Sequence, residues 1–519
     1  MTDVVPVVDL FSGPGGLAEG FAAYRDAHDQ PRFRVLLSVE MESTAHQTLR
    51  LRAFLRKFEP SDVPPEYHDF LNNGAKDEPD WRSLYPKEWF EACDETLCLE
   101  LGTRDTTRVV QHRVRQIRRE YGDNTVLLGG PPCQSYSLVG RARNAGNEAY
   151  DPDTDKRQSL YDDYVNVLRD LQPAVAIMEN VKGMLSARHL GESVFDRVTD
   201  GLRNAGGKDR YRLDALVPNH VGGLWERERN PKEFLVRAEH YGVPQARHRV
   251  FVVCVRRDVA DQLSQAAQLQ LRTDMATVPV LEMIGDMPKL RSRLSRGDSS
   301  SAWKATLASA CDLIQPLPMP TMTRDQRLRF DEAIAKARRT TTEPARPYRG
   351  PAGGTAMSCP KDLRDWIVDD KLTRLPNNET RGHIPGDLAR YLFAAAFASA
   401  MGRSPKSPDF PPQLAPKHAN WKTGKFGDRF RVQLGDQPCR TVTSHISKDG
   451  HYFIHPDPGQ CRSITVREAA RLQTFPDNYF FCGSRTQQYV QVGNAVPPYL
   501  ARQIAGRVCE LLDERRASE

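Results

Sequence analysis

The chain has 519 residues, enough for more than one hydrophobic core, with 39% hydrophobic and 27% charged residues and a net charge of +6. That charge permits a polyanionic partner without demanding one. No apolar run approaches the ~18 residues of a membrane span, and the first residues lack a basic-then-apolar signal segment. The ten cysteines are scattered, which argues for reduced thiols in a cytoplasmic protein rather than a disulfide framework. Cys93 and Cys98 are the nearest pair, but no second pair or histidine spacing accompanies them, so no metal site is expected.

In chain order, residues 4–10 form a hydrophobic run that predicts a strand, and residues 16–24 predict a helix. Residues 35–39, 125–128, 175–178 and 250–255 predict four more strands. Between the third and fourth strands, Leu160, Tyr164, Val167, Leu168 and Leu171 recur at helical spacing, as on an amphipathic helix. Strands alternating with helices predict a doubly wound parallel α/β sheet, with the chemistry just past the strand ends. Residues 51–104 interrupt this alternation and resist assignment. After them, Arg113, Arg115, Arg118 and Arg119 predict a helix with a basic face, more simply a solvated face than a DNA contact. Residues 256–425 lose the alternation, and 346–360 read as an exposed loop. Order returns near residue 431, with an apolar run at 452–454 and helices predicted over 464–475 and 499–512.

Four stretches carry chemistry. Asp9-Leu10-Phe11-Ser12-Gly13-Pro14-Gly15-Gly16 joins the first strand to the first helix, and its glycines allow a tight turn and close approach to a cofactor. Glu40 ends the second strand, where a carboxylate can accept both hydroxyls of a ribose. Taken alone, these features specify a nucleotide-like cofactor, and NAD fits as well as S-adenosyl-L-methionine. Next, Gly129-Gly130-Pro131-Pro132-Cys133-Gln134-Ser135-Tyr136-Ser137 follows the third strand. The prolines stiffen the turn and delay any helix until after the thiol, which suits a nucleophile better than a buried structural cysteine. Met178-Glu179-Asn180-Val181 ends the fourth strand, and Gln245-Ala246-Arg247-His248-Arg249 enters the fifth.

Together these motifs resemble the DNA cytosine-5 methyltransferases, bacterial or phage type. Arg467 to Asp477 resembles that family's supporting helix, and Gly493-Asn494-Ala495-Val496-Pro497-Pro498 its final motif. The resemblance covers most of residues 4–255 and 431–507. It implies a Rossmann-like, class I S-adenosyl-L-methionine-dependent catalytic domain (1–255 plus 431–519) with a smaller target-recognition domain inserted at 256–430. It further implies that Cys133 attacks carbon 6 of cytosine and that Glu179 hydrogen-bonds the ring at N3 and the amino group. Arg249 would contact the base carbonyl and Arg247 would lie near backbone phosphate. For the cofactor it implies Phe11 on the adenine, Gly13, Gly15 and Gly16 in the loop, Glu40 on the ribose, Asp105 near the adenine amine, and Asn494 as a further positioner.

A thiol suits this reaction because carbon 5 of cytosine is a poor nucleophile until addition at carbon 6 makes the ring enamine-like. A stacked base is out of reach, so the base must be swung out of duplex DNA. The polar stretch 137–156, with Gly140, Arg141, Gly146 and Arg143, reads as a mobile loop whose arginines meet phosphates. The chain starts almost at the cofactor motif, which leaves no room for a preceding regulatory domain. The expected protein is a monomer acting on double-stranded DNA, with restriction or phage-defence partners. Two other readings stand beside it: a tRNA cytosine-5 methyltransferase, disfavoured by the long insert and the missing Cys-Phe-Thr tripeptide, and a catalytically silent DNA-binding protein.

Overall fold

The computed structural model describes residues 4–132, 159–189, 191–218, 230–264, 269–273, 275–340, 357–416, 421 and 427–518. Cys133, the stretch 137–156 with Arg141 and Arg143, and most of 346–360 lie outside the described residues.

All five predicted strands are present. β1 (Val5–Leu10) is wholly buried and pairs in parallel with β2 (Phe33–Glu40) on one side and β4 (Val126–Gly129) on the other. β3 (Thr96–Cys98) extends the sheet beyond β2, and β5 (Val175–Val181) extends it beyond β4. β6 (Tyr211–Asp214) and β7 (His248–Arg256) extend the order to β3-β2-β1-β4-β5-β7-β6, and an eighth strand, Leu235–Arg237, pairs with the first residues of β7. The sheet departs from the predicted parallel pattern at one place: β7 runs antiparallel to both β5 and β6. The chain crosses from β5 through a helix to β6 one position out, leaving a slot that the returning segment fills in the opposite direction.

The helices pack on both faces. α1 (Gly16–Ala22) lies on one face, while α2 (Ser43–Leu55) follows β2. α3 (Arg104–Tyr121), α4 (Ser159–Leu171) and α5 (Val194–Arg203) bury Val110, Val114, Tyr164, Leu168 and Val198 against the other face. Residues 51–104, unassigned by pattern, form short helices around Phe54, whose ring meets Phe58, Trp81, Tyr85 and Trp89. Mixed aromatic and charged composition hid this cluster, because its helices are too short to establish a period.

The insert has its own core. α6 (Ser300–Ile314), α7 (Arg324–Arg339) and α8 (Pro385–Met401) bury Trp303, Phe330, Ile334, Phe393 and Phe397, and Phe430, Ile454 and Cys461 join them. Residues 278–287 instead pack with α9 (Val466–Leu472) in a separate cluster that also contains Phe54 and Trp81. α9 is shorter than the predicted 464–475 helix. Thr465 caps it through a reciprocal box with Glu468, and the chain turns at Thr474, whose φ is +62°.

The last segments return to the first. α10 (Arg485–Asn494) leads through Val496 to α11 (Pro498–Ser518), which lies on α1 beside β1. A Cβ at Gly16 would sit 2.2 Å from the Val496 carbonyl oxygen, and one at Gly20 would sit 2.4 Å from that of Pro498. Backbone-on-backbone contact at this spacing admits only glycine. Among the described residues, no helix is long and apolar enough to cross a membrane.

Asp9 breaks the apolar run of β1. It is fully buried, and among the described residues neither carboxylate oxygen reaches hydrogen-bond geometry, although Ser12 and the Ala18 N–H are near. Burial pushes its pKa up to about 7. The folded chain therefore keeps a proton that the unfolded chain releases near 3.8, so stability falls as pH rises through that window and levels off above about 7. Asp9→Asn should flatten this fall, which is on the order of 2–4 kcal/mol for a shift of this size. Denaturant melts of both proteins from pH 4 to 8 measure it; parallel curves would show that Asp9 is ionised throughout.

Candidate active site

The strand order reverses at β1, which lies between β2 and β4. Loops leaving the carboxyl ends of β1 and β4 therefore diverge to opposite faces and leave a crevice between them. The register makes this concrete: Leu10 pairs with Gly129, and Gly129 pairs with Met178. Phe11, Gly130 and Glu179 each stand one residue past that line.

On the β1 side, Phe11 adopts a left-handed φ of +57° and packs on the edge of the core beneath α3. Such a conformation costs a bulky residue about 1–3 kcal/mol and is retained where a turn requires it. The three glycines divide their tasks. Gly13, with φ +57°, has open space where a Cβ would be, so its backbone faces the crevice. A Cβ at Gly15 would press on Leu49, and Gly16 is required by the Val496 contact. Glu40 ties loop to strand: its Oε2 accepts the Gly13 N–H at 2.8 Å and its Oε1 the Glu42 N–H at 2.8 Å. Burial raises the Glu40 pKa while these two donors oppose the rise. Asn494 is exposed at the end of α10, two residues before Val496.

Asp105 is placed differently from Glu40. It sits exposed in the first turn of α3, 4.0 Å from Arg108. The acid that directly follows β3 is Glu100, and its neighbour Leu99 donates its N–H to the Glu40 carbonyl at 3.1 Å. Sequence reasoning passed over Glu100, though its position two residues beyond a strand end was a usable signal once β3 was known.

On the β4 side, the turn that precedes Cys133 is held from β5. Asn180 donates from Nδ2 to the Pro131 carbonyl at 3.3 Å, while its Oδ1 accepts the Val181 N–H at 2.7 Å. Glu179 and Arg249 meet across the β5–β7 pair, Nε to Oε1 at 2.9 Å. Glu179 faces Phe251 in register and Arg249 faces Val181, so the two are diagonal neighbours on one side of the sheet. Arg249 also donates to the His248 carbonyl at 2.9 Å. Burial lowers its pKa and the Glu179 carboxylate opposes that fall. A Cβ at Gly130 would lie 3.0 Å from Glu179 Oε2, so the second glycine of the turn leaves room for the carboxylate.

Arg247 corrects an expectation. Its guanidinium is buried, 2% exposed, and donates to the carbonyls of Val442 at 2.8 Å and Gly493 at 3.3 Å. It does not extend toward a phosphate. The preceding Gln245 is drawn inward, accepting the Val442 N–H and donating to the Leu472 carbonyl, so the segment runs through the interior. Among the described residues Arg247 has no ion-pair partner, and burial together with the charge of Arg249 drives its pKa down. His248 Nε2 pairs with Glu239 Oε1 at 2.7 Å.

Residues 82–298 and 358–510 match the C-5 cytosine-specific DNA methylase family. The chain is 29% identical to the type II methyltransferase M.Bpa9945I of Bacillus paralicheniformis over 98% of this chain and 99% of that one. It is 28% identical to the type II methyltransferase M.AgeI of Thalassovita gelatinovora, over 74% of this chain and 82% of that one. The crystal structure of a prophage-encoded E. coli protein assigned as a DNA modification methyltransferase shares the fold, with a TM-score of 0.51 and 17% identity over 98% of this chain and 99% of that one. With its motifs in order around a switch-point crevice and the family matched over most of its length, the chain belongs to the C-5 cytosine-specific DNA methylases.

Proposed function

We propose that this methylase modifies cytosine within one short duplex sequence through a covalent bond between Cys133 Sγ and carbon 6, on a base turned out of the helix. The observation that carries this reading is the Glu179–Arg249 pair beside the Gly130–Pro132 turn, which Asn180 anchors immediately before Cys133. S-adenosyl-L-methionine supplies an electrophilic methyl group. The residues of the β1 loop fit it: Gly13 leaves backbone open to the crevice, and Glu40 keeps acceptor capacity on both oxygens after binding two N–H groups. Phe11, Gly15, Gly16 and Asn494 complete this side. Asp105 or, closer to the strand end, Glu100 would meet the adenine amine.

In this mechanism the Cys133 thiolate adds to carbon 6 and its electron pair raises the nucleophilicity of carbon 5. Glu179 hydrogen-bonds the N3 edge and Arg249 the carbonyl oxygen, so charge arising on the ring meets preorganised partners. Carbon 5 would take the methyl group, the cofactor's sulfonium leaving as a neutral thioether, and then lose its proton to water as the sulfur–carbon bond breaks and the thiolate returns. Arg249 serves two ends, since it also holds Glu179 in place. The helical module around α6, α7 and α8 would read base edges, the only part of the chemistry that demands sequence-specific contact. Its relatives' names point to a restriction–modification setting, and protection against phage DNA is the corresponding role.

Base-resolution cytosine methylation of DNA from a methylation-free host tests the reading. Wild type should mark carbon 5 in one short context and Cys133→Ala should leave none; a blank wild type with methylated tRNA would instead support the RNA reading. Asn180→Ala tests the anchoring of the turn. It should lower kcat by about tenfold or more, the cost of misplacing a reacting group, while S-adenosyl-L-methionine binding by calorimetry stays within twofold. Equal loss of both would mean that Asn180 serves the sheet rather than the turn.

A further inference from the structure

We infer that a groove on the flank of the catalytic domain, between α3 and α4, binds the phosphate backbone of DNA lying outside the recognition sequence. The inference rests on the DNA reading above but uses none of the residues of the crevice. On α3, Arg108, His112, Arg115 and Arg119 follow one another at intervals of four, three and four. This places them on a single narrow stripe of the helix, opposite the buried Val110, Val114 and Ile117. Arg169 of α4 and Arg118 border the same groove, which has a volume of about 870 Å³.

The charge in the groove is poorly balanced. One carboxylate, Asp170, lines it, 3.7 Å from Arg115 and 3.5 Å from Arg169. Arg118 donates to the Asp170 carbonyl and to Gln172, and Arg119 to the Arg115 carbonyl. Side chains of Arg108, Arg115 and Arg169 are 79%, 62% and 51% exposed. Among the described residues five guanidiniums therefore line the groove with one carboxylate, and Asp105, 4.0 Å from Arg108, is not part of the lining. A simple solvated face would intersperse both signs, as exposed helices ordinarily do.

The shape selects a rod-like polyanion over a compact one. From Arg108 to Arg119 the stripe runs 11 steps, about 16 Å at 1.5 Å per residue. A duplex strand carries one phosphate per 3.4 Å of axis but winds about that axis, so a straight stripe of this length meets about two or three of them on the near side. Guanidinium forks suit phosphate oxygens, and such contacts position without reading sequence. α3 begins five residues past β3, at the catalytic edge, and runs down to Tyr121 before β4. The groove thus leads away from the crevice along the flank.

The test compares duplexes of about 14 and 60 base pairs, both carrying the mapped target, by fluorescence anisotropy across a salt series. Arg115→Gln/Arg119→Gln is set against a control of equal charge change on the opposite face, Arg507→Gln/Arg515→Gln. On the long duplex the groove variant should lose about two from the slope of log affinity against log salt, at 0.9 per phosphate contact, and bind at least tenfold more weakly at 0.15 M salt. On the short duplex its affinity and methylation rate should match wild type. An unchanged slope on the long duplex overturns the inference and leaves an acidic protein surface as the occupant. An equal loss in the control reduces it to bulk charge, and an equal loss on the short duplex removes the distinction from the crevice. Failure of wild type to bind either duplex would sink the DNA reading itself.

Discussion

Between β1 and β4 the sheet reverses its direction of growth, and the two loops that leave those strands are forced apart. No side chain has to hold the crevice open, because right-handed crossovers carry the chain to opposite faces on either side of that line. Phe11, Glu40, Gly130, Glu179 and Arg249 all stand within two residues of a strand end at this edge. Rigid strands give such positions a precision that loops alone do not have. The constraint also explains why Glu179 and Arg249 come from an antiparallel pair. β7 enters beside β5 from the opposite direction, so its first residues, not its last, reach the catalytic edge.

Buried guanidiniums fasten the later segments to this frame. Arg247 joins β7 to the carbonyls of Val442 and Gly493. Arg467 binds the carbonyls of Pro376, Pro476 and Tyr479, and Arg471 spans Asp477, Asp286 and the Met283 carbonyl. Arg462 pairs with Glu468 and also reaches the Leu290 carbonyl. Each burial is costly unless nearly every donor is satisfied. In return, one planar group with five donors can tie together segments more than a hundred residues apart. The Tyr479 hydroxyl extends the web to the Pro14 carbonyl, and Arg52 stacks on the same ring. The insert, α9 and the loop after β1 are thus cross-linked by polar contacts among the described residues.

Much of this was legible in residues alone. Five strands and their order of appearance followed from apolar runs, and the Gly-rich, Pro-Pro-Cys and Glu-Asn-Val stretches marked three strand ends. What escaped shares a physical cause. β3 has three residues and β6 four, too few for a period to show, so Glu100 went unremarked and the antiparallel slot was not foreseen. Arg247 and Arg249 are the same residue type two positions apart, and composition cannot tell a guanidinium held by buried carbonyls from one paired with a carboxylate. Asn180 was visible only as part of a motif; its grip on Pro131 depends on strands 4 and 5 being adjacent. The short helices of 51–104 pack around aromatic rings, a cluster assembled in space rather than along the chain.

The core of the helical module does not close where the composition changes. Phe430, Ile454 and Cys461 are wedged among α6, α7 and α8, whereas residues 278–287 belong with α9. Transplanting 256–430 into a relative would therefore strand apolar side chains on both sides of each junction. A chimaera meant to exchange sequence preference would have to cut near residue 290 and again beyond Cys461, carrying the strap between them as part of the graft. The helical unit is accordingly larger at its carboxyl end, and smaller at its amino end, than the change in sequence texture implies.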